Sequence, residues 1–175
     1  MTTLAFDGRY LAADGRMTRS EIVVSATTKK LHLIEAVIRG EVQEVMVFGA
    51  GSWNGIFAIM EWMKVNDVFD IDPDLGRPHF PEDGECGQSR QDVSFITKAG
   101  ELFALDPQSR PAPYEAPYAD GSGFPFAQMG LELGMSAVDA VKAAIKMDVH
   151  SGGEITCFDV KSWRWVDPET LKPLK

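Results

Sequence analysis

Apolar and polar positions alternate in short runs through the first fifty or so residues. Thr2-Thr3-Leu4-Ala5-Phe6 and Arg9-Tyr10-Leu11-Ala12-Ala13 flank Asp7-Gly8. An Asp-Gly pair suits the tight turn of a hairpin, so the spacing predicts strands over 2–6 and 9–13. Runs at Glu21-Ile22-Val23-Val24-Ser25, at 29–34 and at Gln43-Glu44-Val45-Met46-Val47-Phe48 predict three more. Gly49-Ala50-Gly51-Ser52 then reads as a flexible turn with Ser52 as N-cap. Beyond it Ile56, Phe57, Ile59, Met60 and Met63 recur at spacings of three and four, which predicts a helix ending near Val65.

The pattern breaks over 66–92, where prolines, glycines and acids accumulate in Asp70-Ile71-Asp72-Pro73-Asp74-Leu75-Gly76 and His79-Phe80-Pro81-Glu82-Asp83-Gly84. This predicts a long loop, of a length often tied to function. Strands are predicted at 93–97 and 101–105, and a proline-rich connection passes through Pro107, Pro111, Pro113 and Pro117. A helix is predicted from Pro125 to Leu133. A second follows, capped by Ser136 with Asp139 in the last place of a capping box, and runs to Met147 on a buried stripe of Val141, Ala144 and Ile145. Strands at 154–160 and 162–166 close the chain. Strands, then helices, then strands, with few long crossovers, predict an antiparallel α+β layered fold.

Composition narrows the function classes. A chain of 175 residues that is 45% hydrophobic and 25% charged is large enough for one domain, 1–175, with a real core. The net charge of −9 argues against nucleic acid as a partner. Cys86 and Cys157 form no CxxC, so neither a disulfide framework nor a zinc site is expected, and a reducing, cytoplasmic setting is the plain reading. No metal or cofactor is expected. The start of the chain does not read as a signal peptide, and no apolar run approaches the ~18–20 residues that span a bilayer.

The candidate chemistry lies at the N-terminus. Thr2 follows Met1, and a small second residue permits removal of the methionine. Thr2 would then carry a free α-amine beside its own hydroxyl, a base and a nucleophile on one residue. An α-amine has a reference pKa of ~7.7–8.0, close enough to neutrality for general-base work. Further along, Lys29-Lys30-Leu31 offers one lysine that can face inward, because neighbouring side chains on an extended segment point to opposite sides.

These segments, in order, resemble the proteasome β-subunits and the bacterial HslV peptidases, which are N-terminal-nucleophile hydrolases. The likeness recurs at Thr2-Thr3-Leu4-Ala5-Phe6, Ala12-Ala13-Asp14-Gly15-Arg16-Met17-Thr18, Lys29-Lys30-Leu31, Ala50-Gly51-Ser52, Gly121-Ser122-Gly123-Phe124-Pro125-Phe126-Ala127, Gly134-Met135-Ser136-Ala137, Ala140-Val141 and Asp148-Val149-His150-Ser151-Gly152-Gly153. The short length is most similar to the small proteasome homologues of some proteobacteria. The resemblance implies a four-layer α/β/β/α sandwich of two antiparallel sheets, the N-terminal-nucleophile hydrolase fold.

It also implies roles. Thr2 would be the nucleophile, Lys30 the cation beside it and Asp14 the partner of Lys30. Gly51 would give the backbone N–H of the oxyanion hole, and Ser122, Asp148 and Ser151 would hold the threonine and its amine. Asp148 at a helix C-terminus sits against the negative end of the dipole, an independent hint of a role. Met17, Thr28, Gly49 and Trp53 would surround the first substrate pocket, leaving it deep and apolar.

The function implied is a self-compartmentalising threonine endopeptidase in a homo-oligomeric ring or stacked double ring. It would act on unfolded proteins or peptides, with an ATPase unfoldase as a further partner. Two alternatives stay open: a non-catalytic ring scaffold of the same fold, and a small-molecule amidase of the superfamily. The 66–92 segment departs from the family, which usually has a second long helix there. Trp163, Trp165 and Leu171 in the tail are candidates for a contact surface.

Overall fold

The computed structural model describes residues 2–19, 22–70, 92–105 and 111–174. By contacts the chain divides into two compact units, Met1–Leu31 with Glu115–Lys175, and His32–Tyr114.

The first unit is built on a five-stranded sheet in the order β10-β1-β2-β11-β12. Its strands are β1 (Thr3–Phe6), β2 (Tyr10–Ala13), β10 (Tyr118–Gly121), β11 (Thr156–Asp159) and β12 (Arg164–Val166). All neighbours are antiparallel, with Leu4 opposite Ala13, Thr3 opposite Gly121 and Cys157 opposite Ala12. The turn after β1 forms as the Asp-Gly pair predicts. Asp7 Oδ1 accepts from the N–H groups of Arg9 and Tyr10, at 2.9 and 2.7 Å, and Gly8 takes φ 95°.

Helices α2 (Phe124–Glu132) and α3 (Ala137–Met147) lie against this sheet. Ala127, Leu131, Val138, Ala140, Val141 and Ala144 meet Ala5, Ala12 and Ala119 in a continuous core. Alanines on the strands let the helices come close. The start of α3 is fixed twice over: Ser136 Oγ accepts from Asp139 N–H at 3.2 Å, and Asp7 Oδ2 accepts from Ala137 N–H at 2.9 Å. A two-stranded ribbon, β3 (Met17–Arg19) with β4 (Ile22–Ser25), also belongs to this unit.

The second unit carries a five-stranded sheet in the order β5-β6-β7-β8-β9 and one helix. The strands are β5 (Leu31–Ile38), β6 (Glu41–Ala50), β7 (Asp92–Thr97), β8 (Leu102–Leu105) and β9 (Ala112–Tyr114), and the helix is α1 (Trp53–Val65). Ile56, Ile59, Met60 and Met63 of α1 pack on Val45, Val47, Phe95 and Phe103. The rings of Phe95 and Phe103 stack at 5.2 Å between centroids.

The layered α+β reading therefore holds at the level of antiparallel sheets with helices against them. Several details differ. Gly49 and Ala50 continue β6, paired with Val93 and Asp92, so only Gly51 and Ser52 form the turn. Ser52 holds the N-cap position by its backbone but makes no side-chain cap hydrogen bond. Pro113 sits opposite Phe103 in β9, the last strand of the sheet, and an edge strand is where proline is tolerated. The tail tryptophans are half-buried, since Trp163 and Trp165 both meet the Phe158 ring edge-on at 5.2 Å. The central part of the predicted 66–92 loop, 71–91, lies outside the described residues. Among the described residues no helix is long and apolar enough to cross a membrane.

Phe95 has no solvent exposure and anchors the second core. Phe95→Ala is expected to lower unfolding free energy by about 3–5 kcal/mol in urea titration. A loss under about 1 kcal/mol would contradict this account of the packing.

Candidate functional site

Burying a lysine costs several kcal/mol unless a partner and further hydrogen bonds offset it. Lys30 is 3% exposed, and its Nζ lies 2.6 Å from Asp14 Oδ1. Lys29, one residue earlier, points to solvent. Asp14, just past the end of β2, has no exposure and accepts from four donors among the described residues. Oδ1 takes Lys30 Nζ and, at 2.8 Å, the N–H of Thr3; Oδ2 takes the N–H of Gly152 at 2.9 Å and that of Arg16 at 3.3 Å. One carboxylate thus ties together the chain start, the lysine and the loop after α3. Burial pushes the Lys30 ammonium below the ordinary lysine pKa, against the opposing pull of Asp14.

A second carboxylate organises the other side of the same two threonines. Asp148 is the C-cap residue of α3 and is 8% exposed. Its Oδ2 lies 2.8 Å from Ser122 Oγ and 2.6 Å from Ser151 Oγ, and its Oδ1 accepts from His150 N–H at 3.1 Å. Burial pushes this carboxyl up, but the bonds from Ser151, the His150 N–H and Ser122 together outweigh it, so its pKa sits below the usual carboxylate value. These donors also offset the unfavourable helix end.

An ionised carboxylate only accepts, and this orients the bonds behind it. Ser151 gives its hydroxyl proton to Asp148, and Ser122 has Asp148 Oδ2 at 2.8 Å as its nearer acceptor and the Thr2 carbonyl at 3.2 Å as its farther one. Thr2 N–H then donates to Ser122 Oγ, at 3.3 Å, and the Thr3 hydroxyl donates to Ser151 Oγ. Two parallel chains result, one from each threonine, and both end on the same carboxylate oxygen.

Glycines make this convergence possible. A side chain at Gly121 (φ 88°) would strike the Thr2 carbonyl, and one at Gly123 would strike the Thr3 hydroxyl. At Gly152 the space is filled by the Arg16 guanidinium, which also donates to the Val149 carbonyl at 2.9 Å.

Thr2, Asp14, Lys30, Ser122, Asp148 and Ser151 are thus brought together within the first unit. Met17 on β3 and Thr28 belong to that unit too, and both are half-buried. Gly49, Gly51 and Trp53 belong to the second. Gly51 is exposed with φ 114°, a conformation that suits glycine. A Cβ at Gly49 would strike the Asp92 carbonyl, so the close approach of β7 is one reason for glycine there. Trp53 packs edge-on against His32 at 5.6 Å and beside Phe57. Two residues absent from the expected set join the network, Thr3 and Arg16. Thr3 could have been found from its place: a fully buried hydroxyl on a strand needs a partner. Among the described residues no group of His, Cys, Asp or Glu could hold a metal ion.

The chain is similar in fold to Thiobacillus denitrificans BPH, with a TM-score of 0.62 and 19% identity over 90% of this chain and 95% of that one. A structure of Thiobacillus denitrificans BPH in complex with epoxomicin gives a TM-score of 0.62 and 18% identity, over 90% of this chain and 96% of that one. No family model matches the chain, and no curated protein does.

Two predictions follow from the carboxylates. Asp14→Asn leaves the Lys30 ammonium buried without its counter-charge and is expected to cost about 3–5 kcal/mol of stability. An unchanged urea midpoint would contradict the buried pair. Asp148 has a folded pKa below its unfolded value of about 3.9. Its contribution is fully present above that value and is lost as pH falls through the lower folded one. Acid titration of stability should therefore be shallower below about pH 4 in Asp148→Asn than in the wild type. Identical slopes would refute the assignment.

Proposed function

We propose that this chain is a threonine peptidase whose nucleophile is Thr2 after loss of Met1. The observation that carries the reading is the meeting of Lys30 Nζ and Thr3 N–H on one oxygen of Asp14, at 2.6 and 2.8 Å. It sets a buried cation of lowered pKa beside the residue that follows Thr2. The fold likeness to a protein solved with epoxomicin, a proteasome inhibitor, supports the same reading. The four-layer N-terminal-nucleophile sandwich that the resemblance implies is proposed together with this reading.

The chemistry follows from donor directions. Thr2 nitrogen donates to Ser122, so as a free amine it keeps its lone pair for the Thr2 hydroxyl. The hydroxyl oxygen attacks the scissile carbonyl as its proton passes to the amine, directly or through water. The nearby ammonium of Lys30 favours the developing negative charge on that oxygen. The tetrahedral intermediate collapses to an ester on Thr2, and the proton leaves with the amine product. Water then attacks the ester, giving up its proton to the Thr2 amine, and restores the hydroxyl. Gly51 N–H is assigned to the oxyanion, a contribution of ~2.7–4 kcal/mol for such a donor.

The resemblance alone assigns Met17, Thr28, Gly49 and Trp53 to the pocket for the residue before the cut, with a proposed preference for apolar or aromatic side chains. A homo-oligomeric ring or double ring, fed with unfolded chains by an ATPase, is the assembly proposed. A non-catalytic scaffold has less in its favour, because a buried lysine, two buried carboxylates and two serines converging on the first threonines are costly features for a purely structural part.

Hydrolysis of a fluorogenic peptide panel tests the reading. Turnover is expected after apolar and aromatic residues, and Thr2→Ala should lower kcat by at least about a thousandfold. A Thr2→Ala protein with wild-type turnover would overturn the nucleophile, and best cleavage after acidic or basic residues would overturn the pocket.

A further inference from the structure

Thr3 lies outside the residues assigned above, yet it reaches both carboxylate clusters, Asp14 through its backbone N–H and Asp148 through Ser151. The pleat of β1 puts it on the face of Ala5, the face that packs against α2 and α3. It has no solvent exposure. Gly123, at the start of α2, makes room for that hydroxyl, and Ser151 receives its proton. Ser151 is itself 1% exposed and spends its own proton on Asp148 Oδ2 at 2.6 Å. On the backbone side, Thr3 N–H holds Asp14 Oδ1 at 2.8 Å, the oxygen that binds Lys30.

Resting on the peptidase reading, we propose that Thr3 is a positioning residue, whose hydroxyl locks Ser151 onto Asp148 and thereby fixes the Ser122 hydroxyl that orients the Thr2 amine. The logic is one of proton supply. Ser122 and Ser151 share Asp148 Oδ2 as acceptor. If the Thr3 donor is removed, the buried Ser151 oxygen loses its incoming bond. Ser151 is then held through its bond to Asp148 alone, its side chain is less firmly fixed, and the carboxylate it shares with Ser122 loses part of its restraint. The amine drifts from the geometry that aims its lone pair at the Thr2 hydroxyl. Substrate contacts are untouched, because Thr3 is buried behind the nucleophile. The loss therefore falls on kcat and not on KM.

The test is steady-state kinetics on one apolar fluorogenic peptide with wild type, Thr3→Val, Thr3→Ser and Thr2→Ala, each checked for folding by circular dichroism. Thr3→Val keeps the shape and removes the donor. It is expected to lower kcat about tenfold, the rate equivalent of one lost hydrogen bond, with KM within about twofold. Thr3→Ser keeps the donor and is expected to hold kcat within about twofold of the wild type. If Thr3→Val does not fold, Thr3→Ala, which cannot overpack the site, takes its place in the comparison. Wild-type kcat in the hydroxyl-free variant overturns the proposal, as does a Thr3→Ser protein no faster than it. Those results leave the peptidase reading standing. A wild type without turnover, or Thr2→Ala with full turnover, overturns that reading and this inference with it.

Discussion

The contact between Lys30 and Asp14 is the constraint around which the first unit is arranged. A charge pair with side chains 2% and 0% exposed is expensive to bury, and the fold offsets the cost by bringing backbone N–H groups to both carboxylate oxygens. Those donors come from Thr3, Arg16 and Gly152, so satisfying one carboxylate fastens the chain start to the segment after β2 and to the loop after α3. The pair is thus less a source of net stability than a device that fixes where the first residues of the chain must lie.

Asp148 completes that fixing from the opposite side. Because its carboxylate accepts from two hydroxyls on one oxygen, each hydroxyl must in turn accept from a threonine. Direction matters here more than energy. A single hydrogen bond is worth about 1 kcal/mol, but an acceptor-only group at the end of each chain favours the arrangement in which both serine hydroxyls point to it, with the Thr2 carbonyl, 3.2 Å from Ser122 Oγ, as the more distant rival acceptor. Under the proposed reading this is what leaves the Thr2 nitrogen with its lone pair free for its own hydroxyl.

Much of this was legible from residue order. The hairpin around Asp7-Gly8 and the helices after Ser52 and Ser136 follow from local pattern, because each is decided within a few residues, whereas alternation allowed either lysine of the Lys29-Lys30 pair to face inward and the resemblance chose Lys30. What local pattern missed was decided at a distance. Gly49 and Ala50 read as a turn, yet pairing with Asp92 and Val93 draws them into β6. The proline-rich stretch read as a connection, yet an open sheet edge accepts Pro113 as a strand residue. Thr3 read as one residue of a strand, and its polar contact depends on Ser151, 148 positions away. Arg16 escaped for the same reason, since its value lies in the space left by Gly152.

In the proposed mechanism Thr2 joins a nucleophile and a base in one residue. The most direct measurement is intact mass and peptide mapping of the purified protein before and after incubation with epoxomicin. The account predicts a chain that lacks Met1 and gains one inhibitor, attached through both the hydroxyl and the amine of Thr2, with no adduct on Thr2→Ala. A chain that keeps Met1 and takes no inhibitor, or an adduct that survives Thr2→Ala, would contradict it.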